Sequence, residues 1–132
     1  MNPKPQGSKN IYNGKPVEAC KELPKWRALV TKTACGLHQE VFHGAIALNL
    51  VFLFERPKNH YNRAQNPTLL ADAPSHHTCR PDLSKLTRAV EDALVDAGLL
   101  RDDSIICVSS QAKRYVRNHE NPGCIISLSC AN

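Results

Sequence analysis

Three acids in two groups are the residues of this chain best suited to phosphoester chemistry. Asp82 stands in RPDLSKL, residues 80–86, and Asp102 and Asp103 precede the apolar run Ile105-Ile106-Cys107-Val108. Carboxylates held together repel unless a cation neutralises them, and Mg²⁺ takes one or two carboxylates plus waters and phosphate oxygens. The two groups converge if the strand after Asp103 lies beside the start of the helix after Asp82. The plainer reading is that Asp82 only caps a helix and that Asp-Asp is a turn before a strand. Arg88 follows Asp82 by six positions. At about 100° per residue the two lie far apart in angle, although a long side chain can curl toward a ligand at the helix N-terminus. A solvated surface arginine is the ordinary alternative.

Other chemistry has weaker support. Cys35-Gly-Leu-His38 and His76-His77-Thr-Cys79 have zinc-like spacing, but they sit in dissimilar contexts and no Cys-x₂-Cys repeat accompanies them. Ordinary thiols and loop histidines near a phosphate-binding surface are the preferred reading. Pro5-Gln6-Gly7-Ser8-Lys9 is a cationic loop with backbone N–H groups to offer a phosphate, yet it lacks P-loop spacing. Neither a Gly-x-Ser-x-Gly elbow nor His-Glu-x-x-His occurs, so nucleophilic hydrolysis through Ser or Cys has no support.

These residues need a scaffold, and the chain is long enough to supply one. Its 132 residues, 42% of them hydrophobic, fit a single globular domain with a real core. Against 12 Asp and Glu stand 17 Lys and Arg, unevenly spread. Residues 1–32 carry Lys4, Lys9, Lys15, Lys21, Lys25, Arg27 and Lys32 against Glu18 and Glu22. Lys113, Arg114 and Arg117 form a second basic group, and Glu91, Asp92, Asp96, Asp102 and Asp103 lie between the two. Basic flanks around an acidic middle suit a polyanion gripped at its edges and met by a metal at the centre. The first ten residues have no apolar core of a signal peptide, and the longest apolar run, 45–54, is interrupted by Asn49 and spans about half a membrane. A cytoplasmic protein with reduced thiols is expected, with Cys107, Cys124 and Cys130 as small core residues.

Residues 1–16 are rich in Pro, Gly, Lys and Asn and read as an irregular basic loop. A helix is expected over 25–34, with Pro24 at its start, Gly36 just past its end, and Trp26, Leu29, Val30 and Ala34 facing inward. Residues 45–54 are apolar on both faces and predict a central strand covered on both sides. Residues 55–81 form a long proline-bearing polar loop, which is usually functional or mobile at that length. The clearest helix is 82–97, with Leu83, Leu86, Val90, Ala93, Leu94 and Ala97 on one stripe and Gly98 as its stop. Strands are expected at 104–109 and 124–130. The fold class is α/β or α+β: one small domain, a mixed sheet and two main helices.

The string HHTCRPDLSKLTRAVEDALVDAGLLRDDSII, residues 76–106, closely resembles the core motif of the RusA family of Holliday-junction resolvases. That family's pattern is Asp-x-Asp-Asn-Leu-x-Lys at a helix start, Asp-Ala-Leu in mid-helix and Asp-Asp before the next strand. Asp82, Leu86, Asp92-Ala93-Leu94 and Asp102-Asp103 fall on it without a gap. PKPQGSK at 3–9, VEACKELPKWR at 17–27 and FERPKNHY at 54–61 resemble the phage and actinobacterial branch. Three departures stand out. Ser84 replaces the second Asp and Lys85 the Asn, a variant that this branch uses; Arg88 replaces Lys; and the short strand usual before the Pro-x-Pro-x-Gly-Ser loop is missing, so either the start lies upstream or an edge strand is lost.

The resemblance implies a RusA-like fold and an Mg²⁺-dependent endodeoxyribonuclease, with Mn²⁺ as a substitute, that resolves four-way junctions in recombination, repair or phage replication. Asp82 and Asp103 would hold the metal, with Asp102 or Glu18 as replacements, and the metal would activate a bound water. Ser84 would hold a metal-bound water or cap the helix, and Arg88 would stabilise charge on the phosphate. Lys9, Arg80, Lys85 and Arg114 would contact the DNA backbone. The expected partners are branched DNA and a second copy, as a homodimer, with no membrane and no small-molecule cofactor. The place is the cytoplasm of a bacterial or phage-infected cell. The alternatives are a junction-binding module whose catalysis has been lost and a zinc-stabilised structural protein.

Overall fold

The computed structural model describes residues 1–6, 9–12, 15–18, 21–37 and 41–131, with 9–12 and 15–18 given by their backbone alone. Elements run in the order β1 (Lys9–Tyr12), β2 (Lys15–Glu18), α1 (Leu23–Leu37), β3 (Ile46–Phe54), α2 (Leu83–Asp96), β4 (Ile106–Tyr115) and β5 (Gly123–Cys130). The larger sheet has the order β4-β3-β5, with β4 parallel and β5 antiparallel to β3. A mixed sheet with two helices makes the class α+β.

The apolar pattern explains this arrangement. Ile46, Leu48, Leu50, Phe52 and Phe54 alternate along β3 and are all buried. They meet Leu86, Ala89, Val90, Ala93 and Leu94 of α2 and Leu23, Trp26, Val30 and Ala34 of α1 in one core. Each fully buried Leu or Phe contributes about 1.5–3 kcal/mol relative to exposure. The helices also bond directly: the Thr31 hydroxyl donates to the Ala93 carbonyl at 3.3 Å and Arg27 pairs with Asp96 at 2.5 Å. Helix α2 ends as its sequence indicates, since Gly98 adopts φ +77°, a conformation that suits glycine.

Several expectations change. Residues 9–12 and 15–18 pair as an antiparallel hairpin in register Tyr12↔Lys15, where composition alone suggested an irregular loop. The sequence signal was present: Asn13-Gly14 between the strands is the commonest type of two-residue hairpin connector. Helix α1 runs three residues past 34 and includes Gly36, while Leu29 is 45% exposed, off the buried stripe. Strand β3 is central, but both helices of the core lie over one face. On the other face Asn49 is exposed and Ala47 and Val51 are half-buried. Cys107 and Cys130 are exposed for the same reason. Of these three, only Cys124, facing the core, is removed enough from water for burial to push its thiol up to about 12.

The long 55–81 connection is tied down. Arg56 donates to the carbonyls of Pro74 and Val116, at 2.7 and 3.1 Å. Further along, the N–H of Tyr115 donates to Ser75 O at 2.9 Å. His77 is buried, stacked on Phe54 with ring centroids 4.0 Å apart.

Candidate functional site

Helix α2 begins after Pro81, and Asp82 occupies its N-cap with an extended backbone, φ −70° and ψ 141°. The Leu86 N–H donates to the Asp82 carbonyl at 3.1 Å, closing the first turn through the backbone. The Asp82 carboxylate makes no capping bond, so the cap role proper to Asp at this position goes unused. The side chain is 64% exposed, and Lys85 Nζ lies 4.0 Å away. Ser84, exposed in the first turn, is not the cap residue.

The loop that delivers Asp82 is held from the sheet. Lys113, near the end of β4, points its ammonium at the carbonyls of Cys79 and Pro81, at 2.5 and 2.7 Å. Those two acceptors flank Arg80, so one cation fixes the backbone immediately before Asp82; the Arg80–Pro81 peptide is cis. The His77 N–H also donates to the Lys113 carbonyl, at 3.4 Å. Around the loop is a cleft of about 660 Å³ lined by Lys4, Phe54, His77, Arg80, Asp82 and Lys85, among others. Burial, then the charge of Lys113, pushes the His77 imidazole down, which favours its neutral form. Lys4 is paired with Glu22 at 2.6 Å, whereas Arg80 is exposed.

The other acids lie elsewhere. Asp102 caps a short 3₁₀ turn, Asp103–Ile105, by accepting from the Ser104 N–H at 3.4 Å. Asp102 and Asp103 share a side-chain hydrogen bond that lowers the pKa of Asp102 and raises that of Asp103. Asp92 adds its charge to the upward push on Asp103. Glu91 is raised by burial first, then by Asp103 and Asp92, with Arg88 opposing. Glu91, Asp92, Asp102 and Asp103 thus form one neighbourhood beside the second half of α2.

Asp82 does not belong to it. Glu91 and Asp92 stand nine and ten positions further along an unbroken helix, which is about 14–15 Å at 1.5 Å per residue. The sheet agrees, because Pro81 is held by Lys113, ten residues of chain beyond Asp103 and eight residues into β4. The convergence of Asp82 with Asp102 and Asp103 therefore does not occur within one chain: α2 runs antiparallel to β4 and places the two groups toward opposite ends of the helix.

The cations divide similarly. Arg88 and Lys85 are exposed on α2. Arg114 holds both Glu120 carboxylate oxygens, at 2.7 and 2.9 Å, and its side chain is only 15% exposed. Its charge is therefore already paired inside the β4–β5 connection. That pairing, helped by the Arg117 N–H, draws Glu120 down to about 2. Lys9 lies on β1, but its side chain, the side chain of Glu18 and the whole of His38 lie outside the described residues. Sequence reasoning missed Lys113 as a clamp and Lys4 and His77 as cleft residues. The His-His-Thr-Cys string marked the right loop, but nothing in it shows that a strand lysine would hold it.

Carboxylate oxygens are the hard donors that a divalent cation such as Mg²⁺ prefers. Among the described residues, however, no three acid, histidine or cysteine side chains gather to hold one. The donor chemistry fits a divalent metal; the arrangement of the described residues does not. No helix among the described residues is long and apolar enough to cross a membrane. No curated protein sequence is similar enough to match the chain. A family model described as Endodeoxyribonuclease RusA matches residues 1–129.

Proposed function

Because the chain belongs to the RusA family of endodeoxyribonucleases, we propose that it cuts four-way DNA junctions and that Asp82 is a residue on which cleavage depends. The observation that carries this reading is the spare Asp82 carboxylate, exposed at the helix N-cap without a capping bond. Beside it, Arg80 and Lys85 line the same cleft and suit a phosphate backbone. Lys9 and Arg114 are further contacts in this reading, Arg114 the weaker because Glu120 already neutralises it.

Arg88 stabilises negative charge on the phosphate during hydrolysis, and Ser84 contributes a neutral hydroxyl where relatives place a second acid. Nucleases of this kind generally use a divalent metal. Mg²⁺ is the proposed ion, with Mn²⁺ as its substitute; Asp82, Asp102 and Asp103 are the carboxylates that would supply its donors, although the described residues of one chain do not gather them. A homodimer is part of the proposal, because symmetric cutting of a four-way junction needs two sites. The setting is recombination, repair or phage replication in a bacterial cytoplasm.

The test is a synthetic four-way junction incubated with the wild-type chain and with Asp82→Asn, with and without Mg²⁺. Paired nicks from the wild type, and binding without nicks from the mutant, are expected. Full cleavage by the mutant would remove Asp82 from the site. Binding without nicks by the wild type would favour a binding module.

A further inference from the structure

We propose that the hairpin inside the 55–81 connection reads the branch point of the DNA, wedging Leu69 and Leu70 against base pairs left unstacked where arms separate. This rests on the junction reading above and names the element that tells a junction from a continuous duplex. Residues 62–72 are all exposed, yet the hairpin is braced from within. Tyr61 pairs with Leu69 in an antiparallel bridge. The Leu70 N–H donates to the His60 carbonyl and the Asn62 N–H to the Thr68 carbonyl, both at 2.9 Å. The Asn62 side chain closes the neck. Its amide nitrogen donates to the Thr68 hydroxyl at 2.8 Å, and its oxygen accepts from the Ala64 and Thr68 N–H groups, both at 3.2 Å. At the base, Arg56 lies over the Tyr115 ring, 5.2 Å from its centroid, besides holding Pro74 and Val116. A braced projection keeps its shape when it meets a ligand, so binding carries little cost of ordering it.

Successive side chains of an extended segment point to opposite sides, and Leu69 and Leu70, 46% and 37% exposed, divide between two grooves. Leu69 lines one of about 510 Å³ with Tyr61, Arg117 and His119. Leu70 lines one of about 800 Å³ with Tyr61, Lys58 and Arg63. Lys58, Arg63 and Arg117 have no ion-pair partner among the described residues. Asp72, the one acid in 57–73, lines neither groove, and Glu120, which lines the first, is held by Arg114. The hairpin is thus an apolar blade with free cations on both sides. A continuous duplex offers such a blade only phosphates, because its base faces are stacked. Where arms separate, base pairs uncover a face against which leucine can pack, while the cations hold the flanking phosphates. The placement agrees. The connection leaves β3 at Phe54 and returns beside the end of β4, where His76 pairs with Arg114. Lys113, in that same stretch of β4, holds the loop before Asp82, so hairpin and Asp82 share one end of the sheet.

Fluorescence anisotropy tests this on a synthetic four-way junction and on a linear duplex of the same sequence, in EDTA so that no cutting intervenes. The wild-type chain is expected to prefer the junction and to brighten a fluorescent purine analogue placed at the branch. Leu69→Ser with Leu70→Ser is expected to lose about tenfold in junction affinity, little in duplex affinity, and the brightening with it. Lys58→Ala with Arg63→Ala should instead weaken both DNAs and lower the slope of log affinity against log salt by about 2. Leu69→Ile with Leu70→Ile keeps the apolar wedge and should bind as wild type; circular dichroism checks the folding of each variant. A serine pair that binds the junction as wild type does would leave the leucines to a protein partner and overturn the proposal. Equal losses on junction and duplex would overturn it too, as would a wild type that leaves the branch-point analogue unchanged. A wild type that binds both DNAs alike would instead strike the junction reading itself, and the hairpin's role with it.

Discussion

At the scale of single residues, Asp82 stands out by a bond it does not make. Asp at an N-cap normally accepts from the first turn, and this one does not. Ser84 tests how much negative charge the position next to it requires. Ser84→Asp is expected to leave junction cleavage within about tenfold of wild type or to raise it; a complete loss, in a gel assay, would give the serine a role of its own. In the proposed site Lys113 would act through the loop and not on the substrate. Lys113→Met leaves the Cys79 and Pro81 carbonyls without their shared donor, and a misplacement of about 1 Å is enough to cost about 100-fold in rate. Expected is a loss in the cleavage rate of bound junction with little change in junction affinity, partly rescued by Lys113→Arg. An equal loss in both would mark Lys113 as a plain DNA contact.

At the scale of elements, α2 was legible because its period, its N-terminal Asp and its C-terminal Gly agreed on its bounds, although the Asp82 side chain does not cap it. Leu86, fully buried on that stripe, is expected to cost about 2–5 kcal/mol when changed to Ala, read from urea denaturation. Leu29→Ala, at an exposed α1 position, should stay within about 0.5 kcal/mol. The acids proposed for the site could be named from the sequence, but their separation could not. Spacing along a chain cannot say whether a helix returns parallel or antiparallel to the next strand, and that direction decided where Asp103 stands relative to Asp82. The clamp was hidden for a similar reason: Lys113 reads as one more member of a basic cluster until β4 delivers it beneath the loop. Glu120 supplies a pH test of the β4–β5 connection. Its folded pKa of about 2 lies below the ordinary 4.5, so its stabilising effect is present above about pH 4.5 and fades as pH falls toward 2. The melting temperature of Glu120→Gln is expected to lie below wild type near neutral pH, and the gap to close by about pH 2.

For the whole molecule, a net charge of +5 has to be directed at DNA by cations other than Arg114, Lys4 and Arg27, which are already paired with acids. Junction binding should weaken steeply with salt, and Arg80→Ala should lower the slope of log affinity against log salt by about 1, the share of a single neutralised phosphate. Arg114→Ala should change that slope little, as fluorescence anisotropy titrations at several salt concentrations would read. Strand β4 joins these scales, because its last residues serve two clients on opposite faces. Lys113, paired across from Phe52, holds the loop before Asp82, and Arg114, across from Leu53, holds Glu120. Side chains along a strand alternate, so length changes in β4 obey parity. Deleting one residue from its exposed middle would exchange the two faces and release the loop and the β4–β5 connection together. Deleting two would return both cations to their own sides.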